Sequence, residues 1–267
     1  MRPILFHVGS VAVPSYGVML MVGLAAAVAV TAARARRHGV RRDDVLALGA
    51  LALGGGLIGG WLLFVLTNLG EFVRDPTLLW RVRGMVFYGG LAGGVAACAG
   101  YAVLTRIPFH AVADLAAPAV PVGHIFGRVG CFLAGCCFGR ESHGPLAVRL
   151  PAGPSDPEDL AAATVHPVQL YEAAGLLLLF GLLLVLEHRP RRRPFTLVLA
   201  YVGGYSVLRF VVEFFRGDAI RGFVVPGLLS TSQAISIIVG ITAGALLVWR
   251  HRRTPDSSTA SDYNGRR

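Results

Sequence analysis

Lysine is absent: all 25 basic residues of the 267-residue chain are arginine, so each fixed positive charge is a planar guanidinium fork. Charged residues of either sign make up only 15% of the chain, against 54% hydrophobic, and the mean hydropathy is +0.62. So little charge excludes an ordinary soluble globule and indicates a polytopic membrane protein. Cysteine is scarce as well. Cys98, Cys131, Cys136 and Cys137 all fall within apolar runs, which excludes an extracellular disulfide framework, and no C-x2-C has a partner pair. The opening apolar run does not read as a cleavable signal peptide, because its basic block follows it and no small-residue cleavage site leads into a soluble domain. The net charge of +10 does not indicate nucleic acid. The arginines stand in short blocks between apolar runs, which is a membrane-orientation signal.

Apolar runs of spanning length lie at about Val11–Ala33, Val45–Leu66, Phe87–Thr105, Ala111–Phe138, Leu170–Leu186, Phe195–Phe215 and Ser230–Val248. They predict an all-α fold of about seven transmembrane helices in one transmembrane domain over residues 1–253. The first ten residues are expected at the interface. Pro118 and Pro121 are expected to break or kink the fourth span, with a short re-entrant piece before it continues. Residues 140–166 are expected to form an outer loop, with an acidic cluster at Asp156, Glu158 and Asp159. The tail at 254–267, rich in Ser and Thr, is expected to be disordered. One side collects Arg34, Arg36, Arg37, Arg41, Arg42, Arg106, Arg189, Arg191, Arg192, Arg193, Arg250, Arg252, Arg253, Arg266 and Arg267. The other has Arg2, Arg74, Arg81, Arg83, Arg140, Arg149, Arg216 and Arg221. This bias predicts an N-terminus outside and a C-terminus in the cytoplasm.

Two arginines, Arg128 and Arg209, remain inside apolar segments, where an unpartnered charge costs about 2.5 kcal/mol or more. Such a residue marks a site by default, although snorkelling or a purely structural ion pair are the plainer readings. Tyr205, Arg209 and Glu213 are spaced four apart, placing phenol, guanidinium and carboxylate on one helical face. Arg209 and Glu213 may serve only to neutralise each other; with Arg128, they instead suggest a paired phosphate clamp. Pro167 suits a first helical turn, and Glu172 either complements the helix dipole or faces a site. Asp114 either pairs with an arginine or caps a short helix. Tyr16 reads as an aromatic-belt anchor. Gly55/Gly59, Gly56/Gly60, Gly89/Gly93 and Gly90/Gly94 have the spacing of close helix packing.

Five segments in register carry a resemblance: Tyr16-Gly17; Met85 through Leu91, with Tyr88; Gly127-Arg128-x-Gly130-x-Phe132 with Gly135 and Gly139-Arg140; His166-Pro167-x-Gln169-Leu170-Tyr171-Glu172; and Tyr205-x3-Arg209-x3-Glu213-x2-Arg216. Ser230 and Gln233 open the last span. From Tyr16 to Gln233 the chain resembles the bacterial prolipoprotein diacylglyceryl transferases. The resemblance implies a multi-pass protein of the bacterial inner membrane with seven spans and its N-terminus outside. It implies transfer of the diacylglyceryl group of phosphatidylglycerol to the lipobox cysteine thiol of a preprolipoprotein signal peptide, releasing glycerol 1-phosphate, with no metal and no organic cofactor. Arg128 and Arg209 match essential arginines; Tyr16, Tyr205, Gly139 and Glu213 match other functional positions. The chain departs from the signature at Cys131 and Ala134, where the family has Asn, at Cys136, where it typically has Glu, and at Tyr88, where some members have His.

The expected chemistry is a phosphate clamp of Arg128 and Arg209 that stabilises the leaving glycerol phosphate. Tyr88 or a carboxylate, Glu213 or Glu172, then helps form the acceptor thiolate; a phenol is a poorer base than an imidazole at neutral pH. Tyr205 joins the catalytic group. Tyr16, Cys131, Gly139, His166, Gln169 and Glu172 are expected to line the substrate. The rivals are a related lipid transferase with another acceptor or headgroup, a non-catalytic phospholipid-binding paralogue, and a redox or metal protein using Cys131, Cys136 and Cys137. The last is disfavoured, because adjacent Cys136 and Cys137 cannot both face one site on a helix, and these thiols are expected to be small buried packing groups.

Overall fold

A computed structural model describes residues 1–81, 84–149, 164–189, 193–216, 222–225 and 228–252. The acidic cluster at Asp156, Glu158 and Asp159 and the tail beyond Arg252 lie outside the described residues. Among the described residues, seven helices are long and apolar enough to cross a membrane, as the sequence predicts. Their outward faces carry large apolar side chains such as Ile58, Val103, Leu178 and Ile241. Only lipid makes such a surface favourable, and helices meet its demand that every backbone polar group be paired internally.

The chain divides into two compact units, residues 26–119 and residues 1–25 with 120–267. In the first unit, α2 (Arg42–Thr67) packs along α5 (Phe87–Leu104), after the short α3 (Leu69–Arg74) and α4 (Leu78–Arg81). Glycines on both helices cause this close approach. A methyl group at Gly55 would meet the Gly93 carbonyl oxygen at 2.6 Å, and one at Gly59 would overlap the Gly89 carbonyl. A Gly93→Val substitution is expected to cost about 1–3 kcal/mol of overpacking and to lower the melting temperature of the purified protein. Gly100→Val on the same helix meets open space and is expected to leave it unchanged; equal melting of the two variants would contradict this packing.

The unit ends in α6 (Phe109–Ala116), whose buried Leu115 joins Ala35, Val40 and Val45 in one apolar cluster. Arg34, in the last turn of α1 (Ser15–Arg34), donates to the backbone carbonyls of Leu115 at 2.6 Å and of Asp114 at 3.4 Å. Arg34 thus serves carbonyls at the end of α6, where a helix leaves such groups without intrahelical partners.

The second unit begins with a hairpin of β1 (Ile4–Val8) and β2 (Val11–Pro14). The first span therefore starts at Ser15, not Val11: alternating β-branched residues in Val11–Pro14 pair as a strand. The fourth span is broken at Pro118, between α6 and α7 (Ala119–Ala134). Pro121 falls in the first turn of α7 and does not break it, because the amide it lacks has no intrahelical partner there. The span also stops at Ala134, short of the predicted Phe138, where Gly135 takes a left-handed φ of 75°. Then α8 (Val168–Glu187) and α9 (Thr196–Glu213) pack together, and α9 packs on α10 (Thr231–Arg252). Two short ribbons, β3 (Val148–Arg149) with β4 (Thr164–Val165) and β5 (Phe223–Val225) with β6 (Leu229–Ser230), fasten the connections.

Candidate active site

Glu172, one turn into α8, is completely buried, and three side chains from two other helices converge on its Oε1. Arg128 of α7 places Nη2 at 2.9 Å, Tyr205 of α9 donates its hydroxyl at 3.0 Å, and His124, one turn before Arg128, places Nε2 at 3.6 Å. The His124 and Tyr205 rings lie 5.3 Å apart. A carboxylate at such depth persists only with this kind of pairing. The other oxygen, Oε2, and the Arg128 Nε are buried with no hydrogen-bond partner among the described residues.

A second cluster stands where α9 meets the start of α10. Arg209 Nη1 lies 2.7 Å from Glu213 Oε2, and Arg209 Nη2 donates to Ser232 Oγ at 3.1 Å. Ser230 Oγ donates to Glu213 Oε1 at 2.9 Å. Ser230 is also the N-cap of α10: its hydroxyl accepts the Gln233 amide at 3.1 Å, and its own amide donates to Gln233 Oε1 at 3.1 Å. This reciprocal capping box fixes Ser230 and, through it, the Glu213 carboxylate. Arg128 and Arg209 both act electrostatically on Tyr205 and on His124.

The segment after α7 is clamped by backbone bonds. Gly139 donates to the His166 carbonyl at 2.9 Å, Arg140 to Phe215 at 3.0 Å, and His166 back to Arg140 at 3.1 Å. The His166 ring hydrogen-bonds Tyr171 at 3.1 Å and packs edge-on against Phe215. Gln169, buried to 1%, donates to the Cys136 carbonyl at 2.6 Å. There is no room at Gly139: a methyl group would stand 2.9 Å from His166 Cβ and overlap the Phe215 carbonyl. A Gly139→Ala substitution is expected to cost about 1–3 kcal/mol and to reduce activity while the protein still inserts, measured as transfer per inserted molecule; wild-type transfer would show that the junction does not position the site.

The family model for prolipoprotein diacylglyceryl transferase matches residues 3–249. A phosphatidylglycerol–prolipoprotein diacylglyceryl transferase of Clostridium tetani (strain Massachusetts / E88) is 34% identical over 247 residues, covering 90% of this chain and 96% of its own. The relative of that name from Vibrio cholerae serotype O1 (strain M66-2) is 35% identical over 259 residues, 94% of this chain and 92% of its own. The one from Geobacter sulfurreducens is 34% identical over 266 residues, 95% and 97%. The chain belongs to the prolipoprotein diacylglyceryl transferase family. It is a multi-pass membrane protein and a transferase of that family.

Against the family signature, the structure gathers Arg128, Glu172 and Tyr205 in one cluster and Arg209 and Glu213 in the other. Gly139, His166 and Gln169 bond the segment after α7 to the start of α8. Tyr16, in the first turn of α1, is 43% exposed and lies against Gly130, where a methyl group would meet its ring at 3.2 Å. Tyr88 belongs to the other unit; it is 63% exposed, with its ring edge-on to Phe87. His124 and Ser232 were not among the residues singled out from sequence. His124 had a usable signal, a position one helical turn before Arg128 on the same face; Ser232 had none.

The cysteines require a correction. The rule against adjacent cysteines facing one site holds on a helix, but the helix has ended at Ala134. With Gly135 and Cys137 both left-handed, at φ 75° and 63°, the sulfurs of Cys131, Cys136 and Cys137 all lie within 4.8 Å of one another. Nor are they all buried packing groups, since Cys136 is exposed.

Proposed function

We propose that this chain transfers the diacylglyceryl group of phosphatidylglycerol to the lipobox cysteine of preprolipoprotein signal peptides, releasing glycerol 1-phosphate. The observation that carries the reading is the pair of partly buried guanidiniums, Arg128 and Arg209, each held by a carboxylate at positions matching the family's motifs. A guanidinium has five N–H donors; the carboxylates fix its plane and leave donors for phosphate oxygens. Held in place before substrate arrives, the two forks stabilise the charge that develops on the departing glycerol phosphate without reorganising. Tyr205, hydrogen-bonded to Glu172 and within the fields of both arginines, adds a phenol that can turn from carboxylate to phosphate.

The substrate lipid reaches this site from the bilayer, with the N-terminus outside and the C-terminus in the cytoplasm, an orientation supported by the arginine bias. The membrane is the bacterial inner membrane, where phosphatidylglycerol and exported preprolipoproteins meet. The test is rescue of a bacterial strain depleted of its own diacylglyceryl transferase. Growth and lipid-modified lipoprotein are expected from the wild-type chain; continued accumulation of unmodified precursor, with the protein present in the membrane, would overturn the reading.

A further inference from the structure

The phosphate clamp stabilises the leaving group and leaves open what makes the acceptor thiol a nucleophile. Tyr88 is an exposed phenol, a poorer base than an imidazole at neutral pH. The same chain departs from the family signature at Cys131 and Cys136, and these departures fall together. Cys131 lies in the last turn of α7. Cys136 and Cys137 follow the turn at Gly135, closed by the Cys136 amide on the Cys131 carbonyl at 3.1 Å. Gln169 holds the Cys136 carbonyl from α8.

The backbone at Cys137 is unusual. A non-glycine residue at a φ of 63° costs roughly 1–3 kcal/mol, and such residues persist where the surroundings impose them, commonly at functional sites. Here the left-handed conformation turns the third sulfur toward the other two, and all three lie within 4.8 Å of one another.

We propose that Cys131, Cys136 and Cys137 form a three-thiolate site for a zinc-class divalent ion whose fourth position takes the acceptor thiol. At a Zn–S distance of about 2.3 Å, tetrahedral ligands stand roughly 3.8 Å apart, so the sulfurs need to draw together by about 1 Å at most. Soft thiolates select such an ion over hard cations. Cys136 is exposed, which gives the ion a way in and leaves one side open. Three protein ligands with a vacant fourth position is the arrangement of catalytic zinc, whereas structural sites are closed by four. Arg128 acts electrostatically on Cys131 and Cys137, and Arg216 on Cys137, so the net negative charge of an ion with three thiolates has cationic neighbours.

A thiol that binds such an ion gives up its proton, here to water. Its sulfur then forms the S–C bond to the glyceryl carbon as the C–O bond to phosphate breaks, and that electron pair leaves with the glycerol phosphate. The ion site stands on the cysteine geometry alone; the docking of the acceptor thiol rests on the transferase reading.

The experiment uses the full chain, purified in detergent without chelator, with metal content measured by mass spectrometry. About one zinc per chain is expected, falling to under a tenth of that in Cys131→Ser, Cys136→Ser and Cys137→Ser, and unchanged in Cys98→Ser. Stripping the wild-type protein with chelator and restoring zinc avoids any folding defect of the variants. After cobalt replacement, a lipobox peptide is expected to raise the thiolate-to-cobalt absorption by about one third, a fourth thiolate joining three; the peptide with serine for its cysteine leaves it unchanged. Zinc-free protein with three reactive thiols, a disulfide among them, or bound copper would overturn the ion site. An absorption that does not respond to the cysteine peptide would overturn the docking. Full transfer by zinc-free protein overturns the catalytic role and leaves the transferase reading intact, whereas zinc-loaded protein responding to the peptide but inactive with phosphatidylglycerol supports the site and defeats that reading.

Discussion

Replacing Glu172 by Gln is expected to reduce diacylglyceryl transfer by about 100-fold or more, the scale on which enzymes lose rate when a preorganised charge-stabilising group is misplaced. The substitution nearly conserves shape, removes the charge and turns one acceptor oxygen into a donor. Its effect is large because one oxygen of Glu172 serves three groups, Arg128 at 2.9 Å, Tyr205 at 3.0 Å and His124 at 3.6 Å, in a residue with no solvent exposure. A neutral amide leaves the guanidinium without its counter-charge and presents an N–H where an acceptor is needed. Glu172→Asp keeps the charge but shortens the reach, and is expected to retain part of the activity. Transfer is measured per inserted molecule, so a variant that fails to accumulate is scored separately. Wild-type transfer by Glu172→Gln would show that the pair does not organise the site.

Arg128→Ala is expected to abolish transfer, and Arg128→Lys to restore less than about a tenth of it, because a point charge on a flexible stem replaces a bidentate fork. Loss of activity alone does not separate a clamp from a structural ion pair, since Arg128→Ala also strands Glu172. The double variant Arg128→Ala with Glu172→Ala does. It removes both charges, so the penalty for a buried unpaired group disappears. The double variant is expected to regain the thermal stability lost by each single one while remaining inactive. Recovery of both stability and transfer would reduce Arg128 to a partner for Glu172.

How far the sequence discloses this site depends on the distance over which each feature is decided. The seven spans are legible because apolar length decides them locally, and the Arg209–Glu213 pair because a four-residue spacing puts both on one face. The pairing of Tyr205 with Glu172, 33 residues away, is a tertiary event that no local spacing reports, as is the arrival of Arg128 at the same oxygen. The beginning of the first span is not legible locally, because Val11–Pro14 is apolar enough for a helix but finds a strand partner in Ile4–Val8. The convergence of the cysteines escaped for a related reason. It turns on α7 ending at Ala134, and hydropathy alone runs on to Phe138. The tight packing at Gly139 shows only once Phe215, Val168 and His166 surround it.

Two carboxylate-held arginines, Arg128 and Arg209, are proposed to drive transfer from an anionic glycerophospholipid to a thiol. The purified chain in vesicles of phosphatidylglycerol with a lipobox peptide tests this, with peptide mass and released glycerol phosphate read together. A peptide heavier by one diacylglyceryl group is expected, with an equal amount of glycerol phosphate, and neither product from Arg128→Ala or Arg209→Ala protein. Modified peptide in undiminished amount from either arginine variant would contradict it.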